Sequence, residues 1–316
     1  MKGSCIINGV DIGDLGMFIL RGGDYDFLSF PERKEPEQTN WHEYDGIDVD
    51  LSEIYFREKK VVIRFYIKGE SGDEFIRNLN QFHTLISSPG DKQLYSREFD
   101  KTFLLRYVSC PVFAHRGGMY KLGIKRAEIN VEFSMDNPLQ LFTGSSNLAP
   151  RNGRNSKTFV KINNHDLSDF GIIVNECYNT VLNLPAAKQP LTRSISNVNG
   201  LIVYPAAQTT FEAQQVTIEC TMTANNRDDF YYNYEALFNN LSLKEAVGLS
   251  TFTYDDAPCY YRSMSGFQKL RPFGSRVLVQ FSLSLVLLNP GLVEFVLGTE
   301  DGVAIMTETG DYFIGI

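Results

Sequence analysis

The sequence predicts a mainly β fold (α+β) with two tandem copies of one unit, each with one helix flanking its sheet. Three observations predict this class: a decapeptide that occurs twice, strands that alternate apolar and polar residues, and two amphipathic helical segments at matching positions. Residues 7–16 read INGVDIGDLG and residues 162–171 read INNHDLSDFG, so that five of the ten positions are identical. A repeat of this kind indicates a structural unit that the chain contains twice.

The similarity between the two copies extends beyond the decapeptides. Two unrelated β-rich segments would share periodicity, but they would not share the positions of Pro, Gly and Asp. We therefore favour duplication over coincidence. Four residues of copy one have an identical residue 154 positions later. The pairs are Pro31 and Pro185, Lys34 and Lys188, Pro36 and Pro190, and Gly46 and Gly200.

Two segments of each copy have the alternation that is typical of a strand with one buried face. The first pair is residues 61–67 and 216–222, and the second pair is residues 127–135 and 279–287. Both members of the second pair are followed by Asn-Pro, where proline cannot continue a ladder. The residues predicted on the buried face of the first pair are Val61, Ile63, Phe65, Ile67, Val216, Ile218, Cys220 and Met222.

A helix is predicted after the first of these strands in each copy, because apolar residues recur at the spacing of one helix face. Ser71 and Glu74 are placed as a capping box before the first helix, and Asn226 and Asp229 occupy the matching places before the second. The two apolar stripes are Phe75, Leu79, Phe82 and Ile86, and Phe230, Tyr234, Leu237 and Leu241.

The repeats divide the chain into copy one, residues 1–140, and copy two, residues 159–290. We expect each copy to bury its own core. Residues 141–158 are polar and rich in Asn, Ser and Gly, and predict an exposed linker. Residues 291–316 hold two Gly-containing turns between apolar pieces, and predict a short C-terminal β tail.

Composition and charge argue against several classes of function. The net charge of −8 disfavours a nucleic-acid-binding protein, because that role needs concentrated Lys and Arg. No apolar run reaches the ~20 residues of a membrane-spanning helix, and the N-terminus lacks the apolar core of a signal peptide. The five cysteines form no C-x-x-C pair and are odd in number, which indicates reduced thiols in a protein made in the cytosol.

The segment Y-D-G-I-D-V-D-L-S-E, residues 44–53, is the strongest candidate for chemistry. The carboxylates of Asp45, Asp48, Asp50 and Glu53 suit general acid–base catalysis or a hard cation. In a strand, Asp48 and Asp50 would share one face, which is also typical of a solvated or partner-facing surface. Copy two has no carboxylate at the corresponding places, and we favour the surface interpretation.

The other candidate residues indicate no catalytic, cofactor or metal site. Cys220 replaces Phe65 on a buried strand face, so we expect a small core residue there rather than a nucleophile. No phosphate-binding loop, dinucleotide fingerprint or nucleophile elbow is present, and no histidine pair has zinc-site spacing. We therefore predict that the chain is not an enzyme and needs no cofactor. The histidines are His42, His83 (predicted on a helix), His115 (predicted in a loop) and His165.

Four motifs of copy one follow one another in a distinctive order. They are I-N-G-V-D-I-G-D-L-G (7–16), F-P-E-R-K-E-P (30–36), Y-D-G-I-D-V-D-L (44–51) and Y-F-R-E-K-K-V-V-I-R-F (55–65). In this order they resemble the opening strand and turn, the basic Pro-containing segment, the hairpin and the following strand of the distal tail proteins of long-tailed bacteriophages. The resemblance covers copy one throughout and copy two in outline.

The resemblance implies a tail-tube-like β-sandwich or half-barrel that forms a homo-oligomeric ring at the tail tip of a virion, after synthesis in the bacterial host cytoplasm. Such a ring joins the tail tube to a baseplate or adhesion device. The implied partners are tube, tape-measure and baseplate or receptor-binding proteins, and DNA only passes through the lumen. The family usually continues with an unrelated carbohydrate-module-like domain, whereas this chain repeats its first half, as the hub proteins of contractile tails do.

The resembled tail tubes are six-fold, so two units per chain suit either a pseudo-hexameric trimer or two stacked rings of six chains. Copy one carries 40 charged residues and copy two only 20. In a ring shared by both copies, the two copies would need similar surfaces, and their charge counts differ. We therefore favour six chains in two stacked rings. The competing class is a carbohydrate-binding β-sandwich module in which exposed Tyr231 and Tyr232 stack on sugars. That class explains neither the duplication nor the helix stripes.

Overall fold

The computed structural model describes residues 3–116, 123–142 and 149–290, except 155, 191, 204–208 and 275. Within this part of the chain, each copy builds one seven-stranded sheet in which all neighbouring strands are antiparallel, and one two-stranded hairpin. The prediction of a mainly β fold with two large sheets is confirmed.

The elements of copy one are β1 (Cys5–Ile7), β2 (Val10–Asp11), β3 (Met17–Ile19), β4 (Gln38–Thr39), β5 (Asp48–Val49), β6 (Lys59–Gly69), α1 (Gly72–Ser87), β7 (Lys92–Ser96), β8 (Lys101–Arg116) and β9 (Lys125–Met135). The elements of copy two are β10 (Lys161–Ile162), β11 (His165–Asp166), β12 (Ile172–Glu176), α2 (Tyr178–Val181), β13 (Thr192–Arg193), β14 (Ile202–Val203), β15 (Gln214–Ala224), α3 (Arg227–Leu241), β16 (Val247–Ser250), β17 (Ala257–Lys269) and β18 (Val277–Leu287).

The two sheets have the same strand order. Copy one has the order β2-β1-β7-β8-β9-β6-β3, and copy two has the order β11-β10-β16-β17-β18-β15-β12. Each strand of the second sheet thus occupies the place of its counterpart in the first. The hairpins β4–β5 and β13–β14 also correspond, 154 positions apart. The repeat that the sequence predicts is therefore present in the topology.

The twice-occurring decapeptide encodes a tight turn at the edge of each sheet. Asn8 has a φ of 47°, and its side chain accepts a hydrogen bond from the backbone N–H of Gln93 in β7. Asp11 caps the following 3₁₀ turn by accepting from Gly13 N–H. Gly16 ends that turn at a φ of 64°, and a Cβ there would lie 2.3 Å from the carbonyl oxygen of Lys68. The residues of copy two with the same conformations and roles are Asn163, Asp166 and Gly171.

The predicted helices occupy α1 and α3, and all eight residues of their apolar stripes are buried. The side chain of Ser71 caps α1 by accepting from Glu74 N–H, and Asn226 caps α3 by accepting from Asp229 N–H. The capping box of α1 is shifted by one residue, because the Glu74 carboxylate accepts from the N–H of Glu70 rather than from that of Ser71. Both caps were otherwise predicted correctly.

The longest strand of each sheet, β8 in copy one and β17 in copy two, joins the two halves of its sheet. The N-terminal part of β8 pairs with β7, and its C-terminal part pairs with β9. Register shifts interrupt the pairing of β8 with β9 and that of β17 with β18. Because a bulge bends its strand, these irregularities favour a sheet that curves around its core.

The cores of the two copies are not separate, contrary to the expectation that each copy buries its own core. Buried residues of both copies form one contiguous hydrophobic cluster. Part of the predicted linker also packs on copy two, since the N–H and C=O of Arg151 both bond to the side chain of Asn233. Residues 143–148 of the linker and the predicted β tail, 291–316, lie outside the described residues.

Truncation of the helix stripe tests the predicted packing. Phe82→Ala and Leu237→Ala should each lower the free energy of unfolding by about 3 kcal/mol, because each leaves a cavity that the surrounding residues only partly fill. Urea denaturation measures the change. The matched control is Gln81→Ala, on the exposed face of α1, which should stay within about 0.5 kcal/mol of the unaltered chain. Equal effects of Phe82→Ala and Gln81→Ala would contradict the assignment.

Candidate functional site

The carboxylates of the acidic segment accept hydrogen bonds from separate neighbours. Asp45 accepts from the N–H of Phe211, and Asp48 accepts from the indole N–H of Trp41. Asp50 accepts from the N–H of the nearby Ser52. Asp48 lies in β5 and Asp50 directly follows it, and both side chains are exposed, whereas Val49 between them packs against copy two. Asp45 instead belongs to a contact between the two copies.

The histidines and cysteines also lie apart. Among the described residues, no three His, Cys, Asp or Glu side chains are placed to hold a metal ion. His115 lies in β8, not in the predicted loop, and its ring meets the edge of Phe75 at 5.7 Å. Cys220 is fully buried in β15, and burial raises the pKa of its thiol far above the ordinary value, which keeps it neutral. Burial likewise raises the pKa of Cys259 to about 12.

The two tyrosines of the carbohydrate-binding alternative are not exposed. The hydroxyl of Tyr231 donates to the carbonyl oxygen of Phe99, across the contact between the copies, at 2.7 Å. The ring of Tyr232 lies under the guanidinium of Arg151, 4.0 Å from it. Both rings are half-buried and already have partners, so neither offers an open stacking platform for a sugar.

The most extensively built site in the described structure is the contact between the copies, which we call the internal joint. Its centre is the segment after β3, which leaves copy one and packs against α3. Leu28 and Phe30 are 1% and 3% exposed there. The hydroxyl of Tyr234 donates to the carbonyl oxygen of Leu28 at 2.7 Å, and the Phe30 ring lies 4.4 Å from that of Tyr234 and 4.9 Å from that of Phe238. An aromatic cluster thus fixes copy one to the helix of copy two.

A single lysine of copy two holds the loop between β4 and β5. The ammonium group of Lys188 donates to the carbonyl oxygens of Trp41, Tyr44 and Gly46, at 2.7 Å for the first two. Lys188 is only 4% exposed. A buried ammonium has three N–H donors, and here each finds a carbonyl oxygen, so the cost of burying the charge is largely offset.

The same loop forms backbone bonds with an edge of copy two. The N–H of Gly46 donates to the carbonyl oxygen of Phe211, while Asp45 accepts from the N–H of Phe211, both at 2.8 Å. Gly46 is necessary here, since its φ is 72° and a Cβ would lie 1.8 Å from the carbonyl oxygen of Leu288. Next to it, Ile47, Val49 and Leu51 pack against the outer face of β17 and β18. The residues that receive them include Tyr260, Val286 and Leu288.

A buried ionic cluster completes the joint. The ammonium group of Lys269 lies 2.9 Å from a carboxylate oxygen of Asp24, and it also bonds to Glu98. Burial raises the pKa of Asp24, and the nearby Lys269 charge opposes that rise. A cavity of about 400 Å³ opens beside the cluster. Because Lys269 of copy two bonds to carboxylates of copy one at two positions, the cluster is suited to hold the copies in register.

Sequence reasoning missed the internal joint, although its residues were among those seen to repeat. Lys188 was noticed only as the counterpart of Lys34, and nothing in its local sequence indicates that it binds the other copy.

Another pair of equivalent positions has the same hydrogen-bonding role in both copies, although the two residues differ. At the start of β6, Lys59 donates to the carbonyl oxygens of Phe27 and Ser29. At the same place in copy two, Gln214 donates to two carbonyl oxygens, those of Thr180 and Asn183.

No helix among the described residues is long and apolar enough to cross a membrane. No family model matches the chain, and no curated protein sequence matches it. Among solved structures, the chain is similar to the Dit protein of SPP1, described as a paradigm of the hub adsorption apparatus in phages that infect Gram-positive bacteria. The match covers 90% of this chain and 97% of that chain, at 9% identity and a TM-score of 0.32.

The pair Lys59 and Gln214 predicts a pH dependence of stability. Burial lowers the pKa of Lys59 from 10.5 to about 7, although the nearby Asp26 opposes the shift. Between these pH values the unfolded chain binds a proton that the folded chain does not, so the free energy of unfolding should rise as the pH rises. Lys59→Gln, which copies the residue of copy two, should remove this rise without unfolding the protein.

Urea denaturation at several pH values between 7 and 10 measures the effect, within the window that the Lys59 pKa sets. The control is Lys60→Gln, since Lys60 is the exposed neighbour on the same strand, and its slope should match that of the unaltered chain. If Lys59→Gln and the unaltered chain have the same slope, the assignment to Lys59 is wrong.

Proposed function

We propose that the chain is a structural protein of a bacteriophage or prophage tail. In this proposal it forms a ring at the tail tip, which joins the tail tube to the baseplate or adhesion device. The observation that carries the proposal is the internal joint, in which one surface of a sheet unit binds a different surface of the next unit. Contacts between unlike surfaces can be repeated from unit to unit, and they close into rings when the rotation allows it.

Two of the four motifs that resemble the distal tail family, 30–36 and 44–51, supply residues of this joint. The segment 30–36 supplies Phe30, whose ring packs on α3. The segment 44–51 supplies Gly46 and the apolar residues on β17 and β18. If these motifs mark a way of joining units in that family, their use in a unit-to-unit contact here is what the proposal requires.

The charge and the occupied side chains suit a role in assembly rather than catalysis. The acidic carboxylates of residues 44–53 bond to neighbours within the fold. The net charge of −8 would keep DNA from adhering to a lumen through which it passes. The partners in this role are further copies of the chain, together with tube, tape-measure and baseplate or receptor-binding proteins. Its location is the tip of the virion tail.

Electron microscopy tests the proposed function directly. Class averages of the purified chain should contain rings with a central opening. Gold-labelled antibodies against the chain should bind one end of tail particles, and preimmune serum is the control. A chain that is monomeric in solution and absent from tail particles would rule out the proposed function.

A further inference from the structure

The internal joint joins two unlike surfaces, and each copy has both. The first surface, here called the donor half, is the segment after β3 together with the β4–β5 hairpin of copy one. The second, the acceptor half, comprises Lys188, the backbone edge at Phe211 and α3 of copy two. Because the two copies share one strand order, copy two has a second donor half and copy one has a second acceptor half. The described residues of a single chain leave both of these uncovered.

The second donor half exposes apolar side chains at positions that are buried in the first. Leu182 and Leu184 lie 154 positions after Leu28 and Phe30, yet they are 44% and 64% exposed, whereas Leu28 and Phe30 are almost fully buried. Isolated exposed leucines need no explanation, but a set that repeats a buried set indicates a surface that another molecule covers.

The hairpin of the second donor half repeats this contrast. Leu201 and Val203, in the places of Ile47 and Val49, are 62% and 46% exposed. Gly200 has the same left-handed backbone as its counterpart in copy one, with a φ of 86°, but no described atom lies within 4 Å of a Cβ added to it. The hairpin thus has the shape of the buried hairpin without a contact from the described residues of its own chain.

The second acceptor half is open in the same way. Lys34, the counterpart of Lys188, is exposed, and its ammonium group has no partner among the described residues. Within the same part of the chain, the N–H and C=O of Phe56 also lack partners, although its counterpart Phe211 bonds to the loop of copy one through both groups. On α1, Ile76 stands at the place of Tyr231 and is half exposed.

We propose that these two open halves bind each other between neighbouring chains, so that a second copy of this chain covers each of them. Lys34 of one chain then holds the carbonyl oxygens of loop 195–200 of the next, as Lys188 holds those of loop 41–46. Chains join head to tail, and donor and acceptor halves alternate around the assembly. The closure of this assembly rests on the proposed function: a six-fold ring of units needs three chains.

The joint between chains is more polar than the internal joint. Arg106 and Ser134 pair with each other at the register position that Tyr260 and Val286 occupy in copy two, and Arg106 forms an exposed ion pair with Asp136. Less apolar surface is buried by such a contact, so it is weaker than the internal joint. We therefore expect the internal joint to persist in the free chain, and the joint between chains to depend on concentration.

Equivalent lysines of the two joints provide the test. Lys34→Met should weaken self-association by at least about tenfold, because the carbonyl oxygens of loop 195–200 lose the ammonium group that donates hydrogen bonds to them. The thermal unfolding midpoint should stay unchanged. Lys188→Met should lower the unfolding midpoint of the chain, since it breaks bonds within one molecule.

Leu184→Asp, at an exposed site, is a second variant that should disrupt association without unfolding the chain. The control is Lys161→Met, since Lys161 is an exposed lysine on β10 outside both joints.

Native mass spectrometry over a concentration series measures the number of chains in each assembly. Circular dichroism verifies that each variant is folded. Trimers that form in the unaltered chain and in Lys161→Met, but not in Lys34→Met or Leu184→Asp, support the proposal. A trimer that survives both variants overturns the proposed contact and leaves the tail role standing. A hexamer overturns the three-chain closure. A chain that stays monomeric up to its solubility limit overturns the inference, while antibody labelling of tail particles still decides the proposed function separately.

Discussion

Each sheet unit of this protein has an apolar segment that its own sheet cannot cover, and much of the structure follows from this constraint. The segment after β3 leaves the sheet before the chain returns as β6, so Leu28 and Phe30 pack beyond their own sheet, although Phe27 stacks on Phe103 within it. Burying one such side chain stabilises a protein by roughly 1.5–3 kcal/mol. In copy one, α3 of the other copy covers Leu28 and Phe30. In copy two, no described element covers the equivalent residues.

Buried polar groups then fix how the copies meet. Apolar contact alone tolerates sliding, whereas a buried ammonium must find its acceptors at defined positions. Lys188 meets three carbonyl oxygens of one loop, and Lys269 meets the carboxylates of Asp24 and Glu98. Displacement by one residue would leave these charges buried without partners. The joint is therefore specific in register as well as favourable in burial.

The sequence predicts the parts of the fold that are set by local periodicity, and it does not predict the joint. The strands, the helix stripes and the turn at Gly16 follow from patterns within about a dozen residues, and all are present. The joint depends on pairs such as Leu28 and Tyr234, which are 206 positions apart and have no shared local pattern. The contact of Asp45 was not predicted for the same reason, since the N–H that Asp45 accepts from belongs to Phe211 of the other copy.

One position of the joint contributes to the uneven charge of the two copies. Copy two buries Tyr260 and Val286 beneath the hairpin of copy one, whereas the matching positions of copy one are the polar Arg106 and Ser134. An acceptor surface that is permanently covered favours apolar residues, and one that is covered only on assembly must stay soluble in the free chain. At this position, the charge difference that favoured six chains in stacked rings is also expected when both copies share one ring. A repeated joint between units then makes three chains the simpler arrangement.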